Sequence, residues 1–287
     1  MVGDELTLSK IGIITFHSAY NYGSVLQAFA TQTFIKKLGS ENEIINYRLD
    51  EQRRVYSNLR FNYGYKEFIK DLSLLPIYGR RNIRKEKFET FLFENIDASD
   101  ICRTPEDVRK IWDKYPTIIS GSDQIWNKHS LELEHIDWNF MDPYLLKGYH
   151  GKKISYASSI ANMNDWEIKR ILPEINDFAL LSMREETSAK KVSNYLKRNV
   201  ISVLDPTFLL TKEEWIQTLH LNRDNKKFIL FYSLHGITKF NKIKNTLIEL
   251  SKARNCKILT ITPFCYIKKS KYFEPHPELL DAERNIR

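Results

Sequence analysis

Gly121-Ser122-Asp123-Gln124-Ile125-Trp126-Asn127 sets a hydroxyl, a carboxylate, two amides and an indole within seven residues. It follows Tyr115-Pro116-Thr117-Ile118-Ile119-Ser120, which reads as a buried strand. Polar groups gathered at a strand-to-helix corner suit ligand binding, because open parallel sheets hold ligands beyond the carboxyl ends of their strands. The plainer reading is a Ser or Asp helix cap with a packed Trp. Comparable residues follow four other expected strands. His17 through Ser24 follows residues 11–16, and Ser158-Ser159 follows 153–157. Arg184-Glu185-Glu186 follows 178–183, and Asp205-Pro206-Thr207 follows 200–204. In a parallel sheet these ends share one edge, so a common ligand would explain the recurrence.

Each position carries a sharp reading and a bland one. Asn21-Tyr22-Gly23-Ser24 opens a helix, with Gln27 one turn further on. Gly23 lets a ligand approach the backbone, and the first N–H groups can receive an anion. Alternatively, Ser24 is only an N-cap. Arg184 can grip a carboxylate or phosphate with two parallel hydrogen bonds, or simply pair with Glu185 or Glu186. His17, with an ordinary pKa of about 6.5, could be an acid or base, or a hydrogen-bonded packing residue. His235 has the same two readings. There is no GxGxxG, Walker or GxSxG spacing and no histidine pair at metal-ligand spacing, so neither cofactor nor metal is expected.

The elements that must hold these residues follow from pattern. With 287 residues and 42% hydrophobic content, the chain can form one large or two medium domains. Expected strands at 11–16, 43–47, 116–120, 153–157, 178–183 and 200–204 alternate with helices at 24–38, 104–113, 165–176 and 186–197. That is an α/β fold with a mostly parallel sheet. A helical stretch over 66–95, broken near Pro76 and Gly79, carries Arg80, Arg81, Arg84, Lys85 and Lys87; a solvated face is preferred to an anion-binding one. Residues 128–150 are long, aromatic and irregular, either a functional loop or plain surface. Thr211 caps a short helix, a polar stretch follows as a linker over 211–225, and a β-α-β restarts at 228. Its two strands bury too little for a whole domain. The expected division is a Rossmann-like domain over 1–210 and a partial Rossmann-like domain over 226–287.

Composition narrows the partners. The 44 basic and 36 acidic residues leave a net charge of +8, which favours anionic ligands or acidic lipid. No zinc-finger spacing, RNP motif or recognition helix supports nucleic acid. Cys102, Cys256 and Cys265 are too few and scattered for a disulfide framework, so a reducing compartment fits. Without an apolar leader or span, the expectation is a cytoplasmic protein, with contact at the inner membrane surface as an open alternative.

In order, His17…Asn21-Tyr22-Gly23-Ser24-Val25-Leu26-Gln27, Ser120 through Asn127, Ser155-Tyr156-Ala157-Ser158, Ser182 through Ala189 and Asp205 through Leu210 resemble the polysaccharide pyruvyl transferase family. The resemblance covers roughly residues 10 to 215. It implies a GT-B-like architecture of two Rossmann-like domains facing a cleft. It implies transfer of a pyruvyl group from phosphoenolpyruvate to a sugar of a cell-envelope polysaccharide or its lipid-linked precursor. Arg184 then matches the family's domain-one arginine for that donor. Arg184 and His17 are the catalytic candidates. Asn21, Tyr22, Gly23, Ser24, Gln27, Gly121, Ser122, Asp123, Gln124, Trp126, Asn127, Ser158 and Glu185 are the substrate-binding ones. The family's acid-histidine segment has no counterpart after Lys239, and His276 stands in another context. The expectations left open are a shortened and impaired member, one completed by another chain or a homo-oligomer, and an inactive binding protein. A GT-B glycosyltransferase using a nucleotide sugar is the rival enzyme.

Overall fold

The structure is a computed structural model and describes residues 10–50, 78–222, 226–233, 237–261 and 270–275. His235, Cys265, His276 and the stretch around Pro76 lie outside the described residues. The described residues divide into two compact units, one built from 10–50 and 88–211, the other from 78–87 and 212–275.

The first unit is built on β1 (Ile11–Ile14), a short run of β-branched residues buried as a central parallel strand must be. Gly12 is required there: a Cβ would stand 2.9 Å from Tyr115 Cγ and 3.2 Å from Ile45 Cδ1. α1 (Tyr22–Lys37) follows, then β2 (Asn42–Ile44). The cap of α1 is Asn21, whose side chain accepts from the Ser24 N–H, so Ser24 is not the cap expected from sequence. α2 (Tyr78–Asn95) contains Gly79 near its start. α3 (Pro105–Ile111) begins with a Thr104–Asp107 capping box. β3 (Thr117–Ser120) and β4 (Lys152–Ser155) complete a four-stranded parallel sheet of order β2-β1-β3-β4.

The register of this sheet positions the site. Ile14 lies beside Ser120, and Ser120 beside Ser155, so three strands leave the sheet at one level. α4 (Asp165–Asn176) is held by an Asn164–Glu167 capping box. Beyond β4, β5 (Ser182–Met183) is tied on by the Ile154–Leu180 and Ser158–Met183 bridges. α5 (Glu186–Leu196) leads to β6 (Ile201–Ser202), parallel to β5. The core beneath is aromatic: Phe16, Tyr47, Tyr115, Trp126, Tyr144 and Phe178 are fully buried.

The second unit comprises α6 (Lys212–Thr218), β7 (Phe228–Tyr232), α7 (Ile237–Arg254), β8 (Lys257–Ile261) and β9 (Phe273–Pro275). Its sheet has three parallel strands in the order β7-β8-β9, one more than the sequence suggests. Pro275 hides β9 from sequence reading, yet an edge strand tolerates it. Among the described residues, no helix is long and apolar enough to cross a membrane.

Candidate functional site

The carboxyl ends of β1, β3, β4 and β5 meet through one chain of hydrogen bonds. Thr15, just beyond β1, donates its hydroxyl to the Ser122 carbonyl (2.7 Å). Gln27 Nε2 donates to Thr15 Oγ1 and to the Ser24 carbonyl, both at 2.9 Å. Ser24 Oγ then donates to Asp123 Oδ2 at 2.5 Å. The Ser159 N–H reaches the Asp123 carbonyl at 3.0 Å, and the Arg184 N–H reaches the Ser158 carbonyl at 3.2 Å. Asp205, after β6, closes the network: it accepts from Ser122 Oγ at 3.1 Å and from Arg184 Nη1 at 3.4 Å.

Two residues on this rim hold backbones that their side chains disfavour. Asp123 has φ 81° and Ala157 has φ 55°. Left-handed conformations of non-glycine residues cost about 1–3 kcal/mol each and persist only where surroundings enforce them. Here the neighbouring strand ends do so: Asp123 and Ser158 form a parallel bridge, and Ser158 bridges on to Met183.

Arg184 is the rim's cation, and acids surround it. Nε lies 3.1 Å from Glu185 Oε1, which also accepts from Ser159 Oγ at 2.9 Å. Burial lowers the guanidinium pKa, but the charges of Asp123, Glu185 and Asp205 outweigh it and hold Arg184 above its ordinary value. Arg184 is therefore always charged, aimed and already paired. An incoming anion must compete with Glu185 and Asp205 for it. Glu185 Oε2 is buried without a hydrogen-bond partner, as is Gln27 Oε1. Each can accept from a hydroxyl or amide donor.

The sequence candidates separate by exposure. Asn21 and Gly23 are exposed, and Tyr22, Asp123, Gln124, Arg184 and Glu185 are partly so. The others face inward. Trp126 is fully buried; its indole N–H donates to the Tyr144 carbonyl at 2.9 Å and its ring meets Phe178 edge to face. It is a core residue, not a substrate platform. Asn127 is enclosed and donates to Gln124 Oε1 at 2.8 Å. Ser158 is buried and donates to the Gly121 carbonyl at 3.0 Å. Gly121 leaves room for Thr15, whose Cβ would stand 3.1 Å from an added Cβ. Ser24, Gln27 and Ser122 are also buried, and act on the rim through the bonds described above.

His17 requires a correction. Its ring is 1% exposed, with Nε2 2.9 Å from Asn46 Oδ1 and Nδ1 3.2 Å from the Thr15 carbonyl. Burial, helped by the Arg48 charge, pushes its pKa down to about 4. At neutral pH it is an uncharged packing residue, not a proton donor at the surface. Conversely, Thr15, Ser159 and Asp205 belong to the network: Ser159 and Asp205 stand in the strand-end clusters named from sequence but outside the substrate-binding set, and Thr15 is in neither. Thr15 is a hydroxyl directly after β1, and Ser159 and Asp205 are a hydroxyl and an acid within a few residues of the ends of β4 and β6. Among the described residues, no group of three His, Cys, Asp or Glu side chains could hold a metal. A cavity of 1010 Å³ lined by Lys10, Glu43, Arg48 and Phe93 shares no residue with the rim.

No curated protein matches the chain. A family model described as polysaccharide pyruvyl transferase matches residues 21–277, a stretch that holds every rim residue except Thr15 and the described part of the second unit. The chain thus belongs to the polysaccharide pyruvyl transferase family, a family of transferases.

Proposed function

We propose that this chain transfers a pyruvyl group from phosphoenolpyruvate to two hydroxyls of a sugar, forming a cyclic ketal on a cell-envelope polysaccharide or its precursor. Family membership supports the reaction class. The observation that carries the site is the meeting of Ser24, Asp123, Arg184 and Asp205 on one rim. The reaction breaks the bond between C2 and the phosphate oxygen and forms two C–O bonds to the sugar. One hydroxyl proton ends on the methylene carbon, which becomes methyl; the other leaves with phosphate.

The rim residues bind and orient. Arg184 offers two parallel hydrogen bonds to the donor's carboxylate or phosphate, and Glu185 and Asp205 keep its fork aimed until the anion arrives. The first turn of α1, beside exposed Asn21 and Gly23, adds N–H groups and a positive dipole end. Asp123 and the unpartnered Glu185 Oε2 are acceptors suited to sugar hydroxyls. His17, neutral and enclosed, does not supply the proton.

A GT-B-like architecture belongs to the same proposal, supported by two units that each carry a parallel sheet. The net charge of +8 supports work beside anionic lipid on the inner membrane surface. The test is release of inorganic phosphate from phosphoenolpyruvate when sugars are added, with UDP-sugars assayed in parallel. Sugar-dependent release that is lost in Arg184→Ala supports the proposal. Turnover of a UDP-sugar, with no response to phosphoenolpyruvate, overturns it.

A further inference from the structure

A second set of side chains lies apart from the rim, where residues of the 128–150 segment face α4. Trp166, Arg170 and Glu174 are spaced by four and line one stripe of the helix. Opposite them, the turn Trp138–Met141 presents Trp138 and Asn139, followed by Asp142 and Lys147. Trp138, Asn139, Asp142, Lys147, Arg170 and Glu174 enclose a groove of 140 Å³ floored by the buried side chains of Leu145 and Ile171, and Trp166 reaches it only through its contact with the Trp138 ring. The Trp138 and Trp166 rings stand 5.9 Å apart at 55°, and the Arg170 guanidinium lies 4.7 Å from the Trp138 ring centre. Trp166 is 58% exposed.

We propose that this groove is a saccharide-binding site that seats one pyranose ring against Trp138, beside the exposed Trp166 ring that packs on it. Four features select that ligand class. The volume is well below the roughly 300 Å³ at which drug-sized ligands begin, so one small ring fits. The charges that line the groove cancel, Lys147 and Arg170 against Asp142 and Glu174: Lys147 Nζ lies 3.6 Å from Asp142 Oδ1 and 3.7 Å from Glu174 Oε1. A site so balanced has no excess charge for an ion. Glu174 Oε2 is buried with no partner, and a hydroxyl would satisfy it. Exposed indole surface suits the C–H face of a sugar, while Asn139 and Lys147 donate to its oxygens. Neither a flat apolar ligand nor a simple anion uses all four features. The site stands whether or not the rim transfers pyruvyl groups.

The test follows the indole N–H signals of the five tryptophans by NMR while glucose, galactose, mannose and their methyl glycosides are added to tens of millimolar. At least one sugar should shift Trp138 and Trp166 saturably and leave Trp112, Trp126 and Trp215 in place. Trp166→Ala and Glu174→Gln should each weaken that sugar about tenfold. Absence of saturable shifts with every sugar, shifts at the other tryptophans instead, or unchanged affinity in both variants overturns the inference. Phosphoenolpyruvate titrated into the same samples separates the two proposals. Donor binding without sugar shifts defeats the groove alone, and Trp138 and Trp166 shifts without donor binding defeat the rim alone.

Discussion

Arg184→Ala removes the guanidinium on which Asp123, Glu185 and Asp205 converge. Its two contacts measure 3.1 and 3.4 Å. At an effective dielectric of about 20, each such pair attracts by about 5 kcal/mol before desolvation is counted. The side chain is 28% exposed, so water screens the pairs. The net cost lies between the ~1 kcal/mol of an exposed pair and the ~3–5 kcal/mol of breaking a buried one. About 2 kcal/mol is the expected loss of stability, a fall of about 4–8 °C in Tm. For ligand binding, two charge-assisted hydrogen bonds would contribute about 1.5–3 kcal/mol each. The wild type must surrender its pairs to Glu185 and Asp205 to make them, so roughly half that gain is offset. Affinity for phosphoenolpyruvate should fall by about 10- to 150-fold, equivalent to ~1.5–3 kcal/mol. Arg184→Lys, which keeps the charge and loses the fork, should fall between the two. Titration calorimetry on proteins of known Tm measures this. A folded Arg184→Ala protein that binds phosphoenolpyruvate within about twofold of wild type refutes the reasoning.

Three further outcomes follow from the same structure. His17 has its pKa lowered in the fold, so the unfolded chain takes up its proton first as pH falls. The stability contributed by its neutral form is complete above about 6.5 and is lost as pH drops toward about 4, up to ~3 kcal/mol. Urea midpoints across that window should decline more steeply in wild type than in His17→Gln; parallel declines would count against the burial argument. At φ 81°, Asp123→Val should cost about 2 kcal/mol or more and Asp123→Asn under ~1 kcal/mol in urea unfolding, because asparagine tolerates left-handed backbone and a β-branched residue does not. Gly12→Ala should cost about 1–3 kcal/mol by driving a methyl into Tyr115, Ile118 and Ile45, and an unchanged Tm would show that this packing gives way easily.

The strands and helices of the first unit were legible because their patterns are dense. Ile11–Ile14 and Thr117–Ser120 fall within expected runs rich in β-branched residues, and Lys152–Ser155 overlaps the expected run 153–157 but starts one residue earlier. The convergence of strand ends also follows from sequence, since parallel strands with level ends leave few other arrangements. The direction of each side chain was not legible. Trp126, Ser158 and His17 have residue types that suit a site, yet the turn after each strand aims them at Tyr144, Gly121 and Asn46. The carboxylates around Arg184 were individually visible, but their shared target depends on a fold that brings Asp205 beside Ser122. In the second unit, β9 was missed because three residues ending in proline carry no strand signal.

The most direct test of the rim is a backbone amide NMR titration with phosphoenolpyruvate. The account predicts that residues 21–24, 122–123, 158–159 and 184–185 shift together along one saturation curve. Response at only one strand end, or only around Lys10, Glu43 and Arg48, would contradict it.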